Sequence, residues 1–347
     1  MRKKSFVFRL FSASIVAAYL FAILAPERII TKAVTDAVEA KGECVMEVNS
    51  RRVLYQSHGD IRLPMASTTK ILTCITVLES VSLNEKVTIP LEATGIEGSS
   101  VYLKEGEVYT VEDLLYGLML RSGNDCATAL AIYCCGSIEK FSAKMNETAQ
   151  KAGALASNFE NPHGLPEKEH YTTAYDLGLI TAYAMQNPTF RQIVATQYYQ
   201  PKGWKNKNKM LTLYDGGIGV KTGYTKEAGR CLVSAAERGG MTLVCVVLNC
   251  STTYERSAEL LDDAFDNYEY TRLLSANEKV AILETKTQGH CKKDYYYPLL
   301  KEEKSLIEIK TKPLKSVGKE QKIEKIIGEF EIYLSNRLLF SGNLYKL

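Results

Sequence analysis

Gly217-Ile-Gly-Val-Lys-Thr-Gly223 opens the stretch whose reading decides the fold. It is a Gly-rich strand, and two more strands follow, Cys231 to Ala236 and Met241 to Leu248, joined through Arg238-Gly239-Gly240. Glycines between two apolar runs are a turn signal, so these strands neighbour one another. Outward from them the texture is helical. Thr110-Val-Glu-Asp113 is a capping box, with Leu114, Leu115, Leu118 and Met119 as the apolar face behind it. Ile71, Leu72, Ile75 and Leu78 keep helical spacing behind Pro64 and Ser67. A further helix starts at Asn124-Asp125 and carries Ala127, Leu130, Ala131 and Cys134. Glu43 to Gln56 alternates apolar and polar around Asn49-Ser50-Arg51, the pattern of a β-hairpin. Strands meeting a helical body predict an α+β fold, an antiparallel sheet flanked by helices. Ala258 to Leu274 reads as the closing helix of that domain.

The two ends differ from the middle. Met1-Arg2-Lys3-Lys4 and Arg9 precede an apolar run from Leu10 to Ala25, the layout of an export signal. The run is short for a membrane span, which takes roughly 20 residues. Cleavage near Ala22 or Ala25 competes with an uncleaved anchor, because Pro26 is a poor neighbour for cleavage. Residues 1–28 are therefore a signal peptide or signal anchor. The protein is expected outside the cytoplasm, secreted or held to the membrane surface through its N-terminus. A mostly helical approach runs over 29–40. From Ala276 lysine becomes dense and short β-type runs appear, with Ser335-Asn336-Arg337 at a hairpin turn. The expected domains are 29–275 and a small C-terminal β-sandwich-like domain over 276–347.

Composition narrows the function. The chain has 347 residues, 43 basic and 40 acidic, so bulk charge does not favour a nucleic-acid partner. Four histidines are few and scattered, and the nine cysteines show neither a CxxC pair nor zinc spacing. No metal and no cofactor is expected. The cysteines, Cys245 in an apolar strand and Cys134-Cys135 on a helix among them, read as small buried hydrophobes rather than a disulfide frame.

Three short motifs carry chemistry. In Ser67-Thr68-Thr69-Lys70 the helical i, i+3 spacing brings the Lys70 amine to the Ser67 hydroxyl. Serine needs a base to become a nucleophile, and a lysine held neutral by burial and a neighbouring cation is one. Ser122-Gly123-Asn124 breaks two helices, where Ser122 can pass a proton and Asn124 can hold a substrate backbone by donating and accepting together. Lys221-Thr222-Gly223 lies on the first strand, whose edge can pair with an extended peptide. There Lys221 and Thr222 suit a terminal carboxylate and Gly223 admits close backbone approach. Each motif alone is common. Their conjunction, in this order and on these elements, points to a serine acyl-transfer enzyme.

With these residues in hand the chain resembles the low-molecular-mass penicillin-binding proteins, the serine-type D-alanyl-D-alanine carboxypeptidases. The likeness extends through Pro64-Met-Ala-Ser-Thr-Thr-Lys-Ile-Leu-Thr73, Leu120-Arg-Ser-Gly-Asn-Asp125, Asn161-Pro-His-Gly-Leu165 and Gly219-Val-Lys-Thr-Gly-Tyr224. It covers roughly residues 35–275, and Ile327 to Leu334 resembles the family's β-domain more weakly. The resemblance implies a β-lactamase/transpeptidase-like domain and a set of roles. Ser67 attacks the carbonyl between the last two D-alanines of a peptidoglycan stem peptide. Lys70 is its base, and Ser122 relays protons with Lys70. Lys221 and Thr222 bind the terminal carboxylate, and the backbone N–H groups of Ser67 and Tyr224 form the oxyanion hole. β-Lactams acylate Ser67. Arg256 is a further carboxylate candidate whose spacing fits poorly. His163 and His170 read as loop-fixing residues rather than metal ligands, and Tyr295-Tyr296-Tyr297 as strand packing rather than a sugar platform. Two rivals remain. A β-lactamase would need a deacylating glutamate in an E-x-x-L-N context, which is missing between Asn158 and Asp176. A sensor that stays acylated would not need every catalytic position intact.

Overall fold

A computed structural model describes residues 40–283, 285–314 and 325–346. The expected signal, and all but the last residue of the helical approach, lie outside these. The first hairpin is present as β1 (Gly42–Glu47) and β2 (Val53–Ser57). Ala66–Thr69 forms one 3-10 turn that runs into α1 (Lys70–Leu78). A small ribbon of β3 (Lys86–Thr88) and β4 (Val108–Thr110) leads to α2 (Val111–Tyr116). The capping box forms as expected, the Thr110 hydroxyl oxygen accepting from the Asp113 N–H at 3.0 Å. A π-helical turn at Gly117–Arg121 then ends on Ser122, whose φ of 64° turns the chain sharply before α3 (Asn124–Cys135). Three helices follow, α4 (Ile138–Ala152), α5 (Ala174–Met185) and α6 (Pro188–Ala195). The two-residue strands β5 (Tyr198–Tyr199) and β6 (Trp204–Lys205) and the short α7 (Met210–Leu213) lead back to the sheet.

That sheet is completed by β7 (Gly217–Thr225), β8 (Gly229–Arg238) and β9 (Met241–Leu248). Its order is β2-β1-β9-β8-β7, antiparallel throughout. Helix α5 packs on β1 and β9, while α8 (Thr253–Asn267) packs on β8 and β9. Every residue of β9 is buried, which is why its sequence is a continuous apolar run and not an alternation. Helix α1 is buried from Lys70 to Val77 among α3, α4 and α5. It is mostly apolar, as suits a central helix. Its polar residues are Thr73, Thr76 and, in the first turn, Lys70, whose amine the helix carries into the core.

One expectation is corrected here. The helix that was to close at Leu274 stops at Asn267, and β10 (Tyr268–Leu274) follows without a break. The Tyr-x-Tyr spacing at Tyr268 and Tyr270 has period two, and aromatic residues favour a pleated surface over a helix. The remaining strands are β11 (Val280–Ala281), β12 (Gln288–His290), β13 (Tyr295–Leu300), β14 (Ile307–Pro313), β15 (Ile326–Leu334) and β16 (Arg337–Lys346). They form a five-stranded sheet, β11-β12-β16-β15-β14, beside the pair β10-β13. Along β15 the alternate residues Gly328, Phe330, Ile332 and Leu334 are buried. Phe330, Ile332 and Leu344 meet Leu274 and Ile282 in a small core of their own.

Arg52, at the entry to β2, ties this part to the rest. Its guanidinium grips both carboxylate oxygens of Glu303 at 2.6 and 2.9 Å and donates to the Pro298 carbonyl at 2.6 Å. It lies 5.1 Å from the ring centre of Tyr268 and 5.2 Å from that of Tyr297. All nine cysteines are unpaired, and only Cys134 and Cys135 are partly exposed. Burial raises the Cys44 thiol to about 12 and the Cys231 thiol to about 11, so neither is a reactive thiolate at neutral pH.

Candidate active site

The three motifs converge. Ser67 sits half-buried in the 3-10 turn, and Ala66 before it holds a positive φ of 50°, a strained backbone that aims the next side chain. Lys70, fully buried one turn on, brings Nζ to 3.1 Å from Ser67 Oγ. Two other groups meet the same nitrogen, Asn124 Oδ1 at 2.6 Å and the His163 carbonyl at 2.6 Å. Both can only accept, so each takes one N–H. Asn124 cannot offer its NH2 instead, because Nδ2 already donates to the Glu97 carbonyl at 2.5 Å. The third direction on Lys70 Nζ faces Ser67. Burial, and then the nearby Lys221 cation, pushes the Lys70 amine well below its ordinary value. A neutral amine has two hydrogens and one lone pair. In that neutral form, with both hydrogens committed to the carbonyls, the lone pair would face the serine hydroxyl, as a general base requires.

The His163 carbonyl is itself placed by local structure. Asn161 Oδ1 accepts from the N–H of His163 at 3.3 Å and of Gly164 at 2.7 Å. Thr73 donates to the Pro162 carbonyl at 2.7 Å and so ties the loop to α1. A Cβ on Gly164 would lie 1.9 Å from the Ala66 carbonyl oxygen, at a φ of +89°, so only glycine fits against the nucleophile's turn. His170 completes the brace. Its Nδ1 accepts from the Glu160 N–H at 3.0 Å, so the neutral ring carries its proton on Nε2. Nε2 lies 2.8 Å from Thr69 Oγ1, and the Thr69 hydroxyl donates to the Ala66 carbonyl at 2.9 Å. Burial and Lys70 lower His170 to about 4 and His163 to about 3, so both are neutral at pH 7. Both histidines fix the loop, as their sequence setting suggested.

On the other wall stands β7, the edge strand of the sheet. Lys221 is buried and donates to Ser122 Oγ at 3.1 Å and to the Thr222 carbonyl at 2.8 Å. Burial, with Lys207 adding to it, lowers Lys221 to about 7. Thr222 and Gly223 are half-exposed along the edge, and the Tyr224 side chain is exposed. A Cβ on Gly223 would stand 3.0 Å from the Met65 carbonyl oxygen and 3.1 Å from the Ser67 nitrogen. The glycine thus lets β7 close on the nucleophile's backbone. Gly223→Ala is expected to force the two apart and lower kcat/KM by roughly a hundredfold, the penalty for about 1 Å of misplacement. Steady-state kinetics beside a melting curve will check this, and an unchanged kcat/KM would contradict it.

The structure adds two pairings that the sequence reading did not name. Ser122 was expected to work with Lys70, but its hydroxyl lies against Lys221. Asn124, expected to hold the substrate, accepts from Lys70 at Oδ1 and donates to the Glu97 carbonyl from Nδ2, which leaves one N–H and one lone pair of its amide. Asp125, beside it, was not singled out. Its carboxylate accepts from the N–H groups of Val101 and Leu103 and from the Ser100 hydroxyl, holding the 98–103 loop over α3. Arg256 is not at the site. It pairs with Glu43 at 2.7 Å on β1, three strands from β7. Among the described residues no cluster of three or more His, Cys, Asp or Glu is arranged to hold a metal.

Comparison with known proteins identifies the family. The family model for D-alanyl-D-alanine carboxypeptidases, Peptidase_S11, matches residues 29–252. The chain is 36% identical over 265 residues to the D-alanyl-D-alanine carboxypeptidase DacF of Bacillus subtilis, covering 72% of this chain and 68% of that protein. It is 37% identical over 246 residues to a D-alanyl-D-alanine carboxypeptidase of Streptomyces, covering 64% and 84% respectively. Among solved structures it superposes on penicillin binding protein 5 of Haemophilus influenzae with a TM-score of 0.74 and 25% identity, covering 91% of this chain and 99% of that one. That likeness runs on through the C-terminal β-domain. With its motifs assembled around one serine, the chain belongs to the Peptidase_S11 family of serine-type D-alanyl-D-alanine carboxypeptidases.

Proposed function

We propose that this protein removes the terminal D-alanine from peptidoglycan stem pentapeptides through an acyl-enzyme on Ser67. The observation that carries the reading is the Lys70 amine, held by two carbonyls with its nitrogen 3.1 Å from Ser67 Oγ. Ser67 Oγ attacks the carbonyl carbon of the penultimate D-alanine while Lys70 takes its proton. The N–H groups of Ser67 and Tyr224 receive the developing oxyanion. The C–N bond breaks, the leaving D-alanine nitrogen takes a proton through Ser122, and an ester remains on Ser67. Water cleaves the ester and restores the serine. Lys221 and Thr222 hold the departing residue's carboxylate while the peptide lies along β7. A β-lactam enters by the same attack. The export-signal pattern of residues 1–28 supports work outside the cytoplasm. Among the described residues no helix is long and apolar enough to cross a membrane.

The deciding experiment measures D-alanine release from a synthetic stem pentapeptide by residues 30–347 and by the Ser67→Ala variant. Release by the first and at least a ten-thousandfold loss in the second is expected for removal of a covalent nucleophile, with roughly that size. Equal release by both would remove Ser67 from the chemistry.

A pH dependence follows from Lys221. Its cation is present below about 7 in the free enzyme and lost above it. A bound carboxylate favours the charged form and raises that value. The expected profile therefore shows kcat/KM falling on the alkaline side from about pH 7, while the corresponding limb of kcat lies at higher pH. A kcat/KM flat to pH 9 would count against Lys221 as the carboxylate ligand.

A further inference from the structure

A cleft of about 670 Å3 opens where the β1–β2 turn and the corner between α5 and α6 meet β10 and β13. It is separate from the acyl site. Lys221 is in register with Val233, Val246 and Cys44 across the sheet. Asn49, on the cleft, is three strand spacings across and five residues along, a separation on the order of 20 Å.

The chemistry of the lining is specific. Tyr270 and Tyr296 stack with ring centres 5.1 Å apart and planes 18° from parallel. Asn49 Nδ2 donates to the Tyr270 hydroxyl at 3.1 Å, which leaves that hydroxyl free to donate in turn. The Tyr-Tyr-Tyr run divides its work. Tyr297 is buried in packing and Tyr295 lies edge-on to Phe330 and Phe340, while Tyr296 pairs with Tyr270 at the cleft. The charges at the cleft have partners within the protein. Arg191 is paired with Glu237, the Asp294 carboxylate accepts from the Ala276 N–H at 2.6 Å, and Lys293 lies 5.1 Å over the Tyr295 ring. What the cleft offers is aromatic surface, the exposed amide of Gln186 and apolar ground at Pro188. That combination suits a neutral ring compound with one apolar face, hydroxyls at its rim and amide substituents.

We infer that this cleft binds a strand of N-acetylated amino sugars, the glycan on which stem peptides are borne. The inference rests on the proposed activity for its choice of polymer. The Tyr270–Tyr296 pair takes the C–H face of a sugar ring. Gln186 meets an acetamido group, and Pro188 receives its methyl. The enzyme then holds the wall polymer at a point remote from the bond it cuts, and a peptide free of glycan forgoes that hold.

The test uses the chain from residue 30 onward. Its probes are the N-acetylglucosamine tetramer and soluble glycan chains stripped of peptide, titrated by calorimetry. Saturable binding by either probe is expected, weakened roughly tenfold in Tyr296→Ala, the worth of one aromatic contact. D-Alanine release from glycan-borne pentapeptide falls by a similar factor in kcat/KM, while release from free pentapeptide is unchanged. Gln186→Ala, on an exposed side chain, supplies the same reading if Tyr296→Ala melts early. No binding of either probe, or equal losses on free and glycan-borne substrate, overturns the inference. Absence of release from free pentapeptide by the parent protein would instead overturn the proposed activity, and the titration would still decide the cleft.

Discussion

Lys70→Met is expected to leave a folded protein that acylates Ser67 at least about a thousandfold more slowly, the usual size of a lost general base. The side chain sits in the first turn of a buried helix, and methionine matches its length and apolar surroundings. The loss is therefore chemical. Without the amine no lone pair faces the serine hydroxyl, and Asn124 Oδ1 and the His163 carbonyl keep no donor. Lys70→Arg should fail equally, because a guanidinium stays protonated and offers no lone pair. The rate of covalent penicillin labelling, read beside circular dichroism, decides the matter. A loss of tenfold or less in Lys70→Met would transfer the base role to another group.

The second large effect is on stability. Arg256→Leu is expected to lower the thermal midpoint by roughly 10 °C while leaving kcat/KM per folded molecule within about twofold of the parent. The guanidinium donates to both Glu43 oxygens at 2.7 and 2.8 Å, and both side chains are buried. Removing one member leaves a buried carboxylate unpaired, which costs about 3–5 kcal/mol. In a domain of this size each kcal/mol moves the midpoint by about 2–4 °C. Adding Glu43→Gln should recover part of the loss, since the orphaned charge is then gone. A raised KM for the pentapeptide with an unmoved midpoint would return Arg256 to the substrate.

Motifs and local structure were legible because their causes are local. The Thr110 capping box, the hairpin from Glu43 and the Ser67–Lys70 spacing are set by residues within a turn of one another. The strand triplet from Gly217 announced the sheet through its turn glycines. What was not legible depends on distant partners. Arg256 meets Glu43 across 213 positions of sequence, and Asn124 meets Lys70 across 54. No periodicity reports such contacts, so neither the Glu43 partner of Arg256 nor the Lys70 partner of Asn124 was foreseen. The catalytic loop shows the same limit. His163 reaches Lys70 through its carbonyl, which no side-chain motif can signal, while His170 works through Thr69. The strand over Tyr268–Leu274 was missed because it continues a helix with no glycine or proline between.

The grip of Arg52 on Glu303 bears on how such proteins can be recombined. A C-terminal module that is swapped between relatives, by gene fusion or at the bench, arrives without its old clasp. Unless the incoming module brings an acid at the place of Glu303 and ring faces at those of Tyr268 and Tyr297, a cation is left stranded beneath the new junction. Tyr268 also lies upstream of residue 276, so a cut there parts the clasp unevenly, leaving one ring with each piece. Chimaeras joined before Tyr268, with Arg52 exchanged alongside, keep the socket and its occupant together.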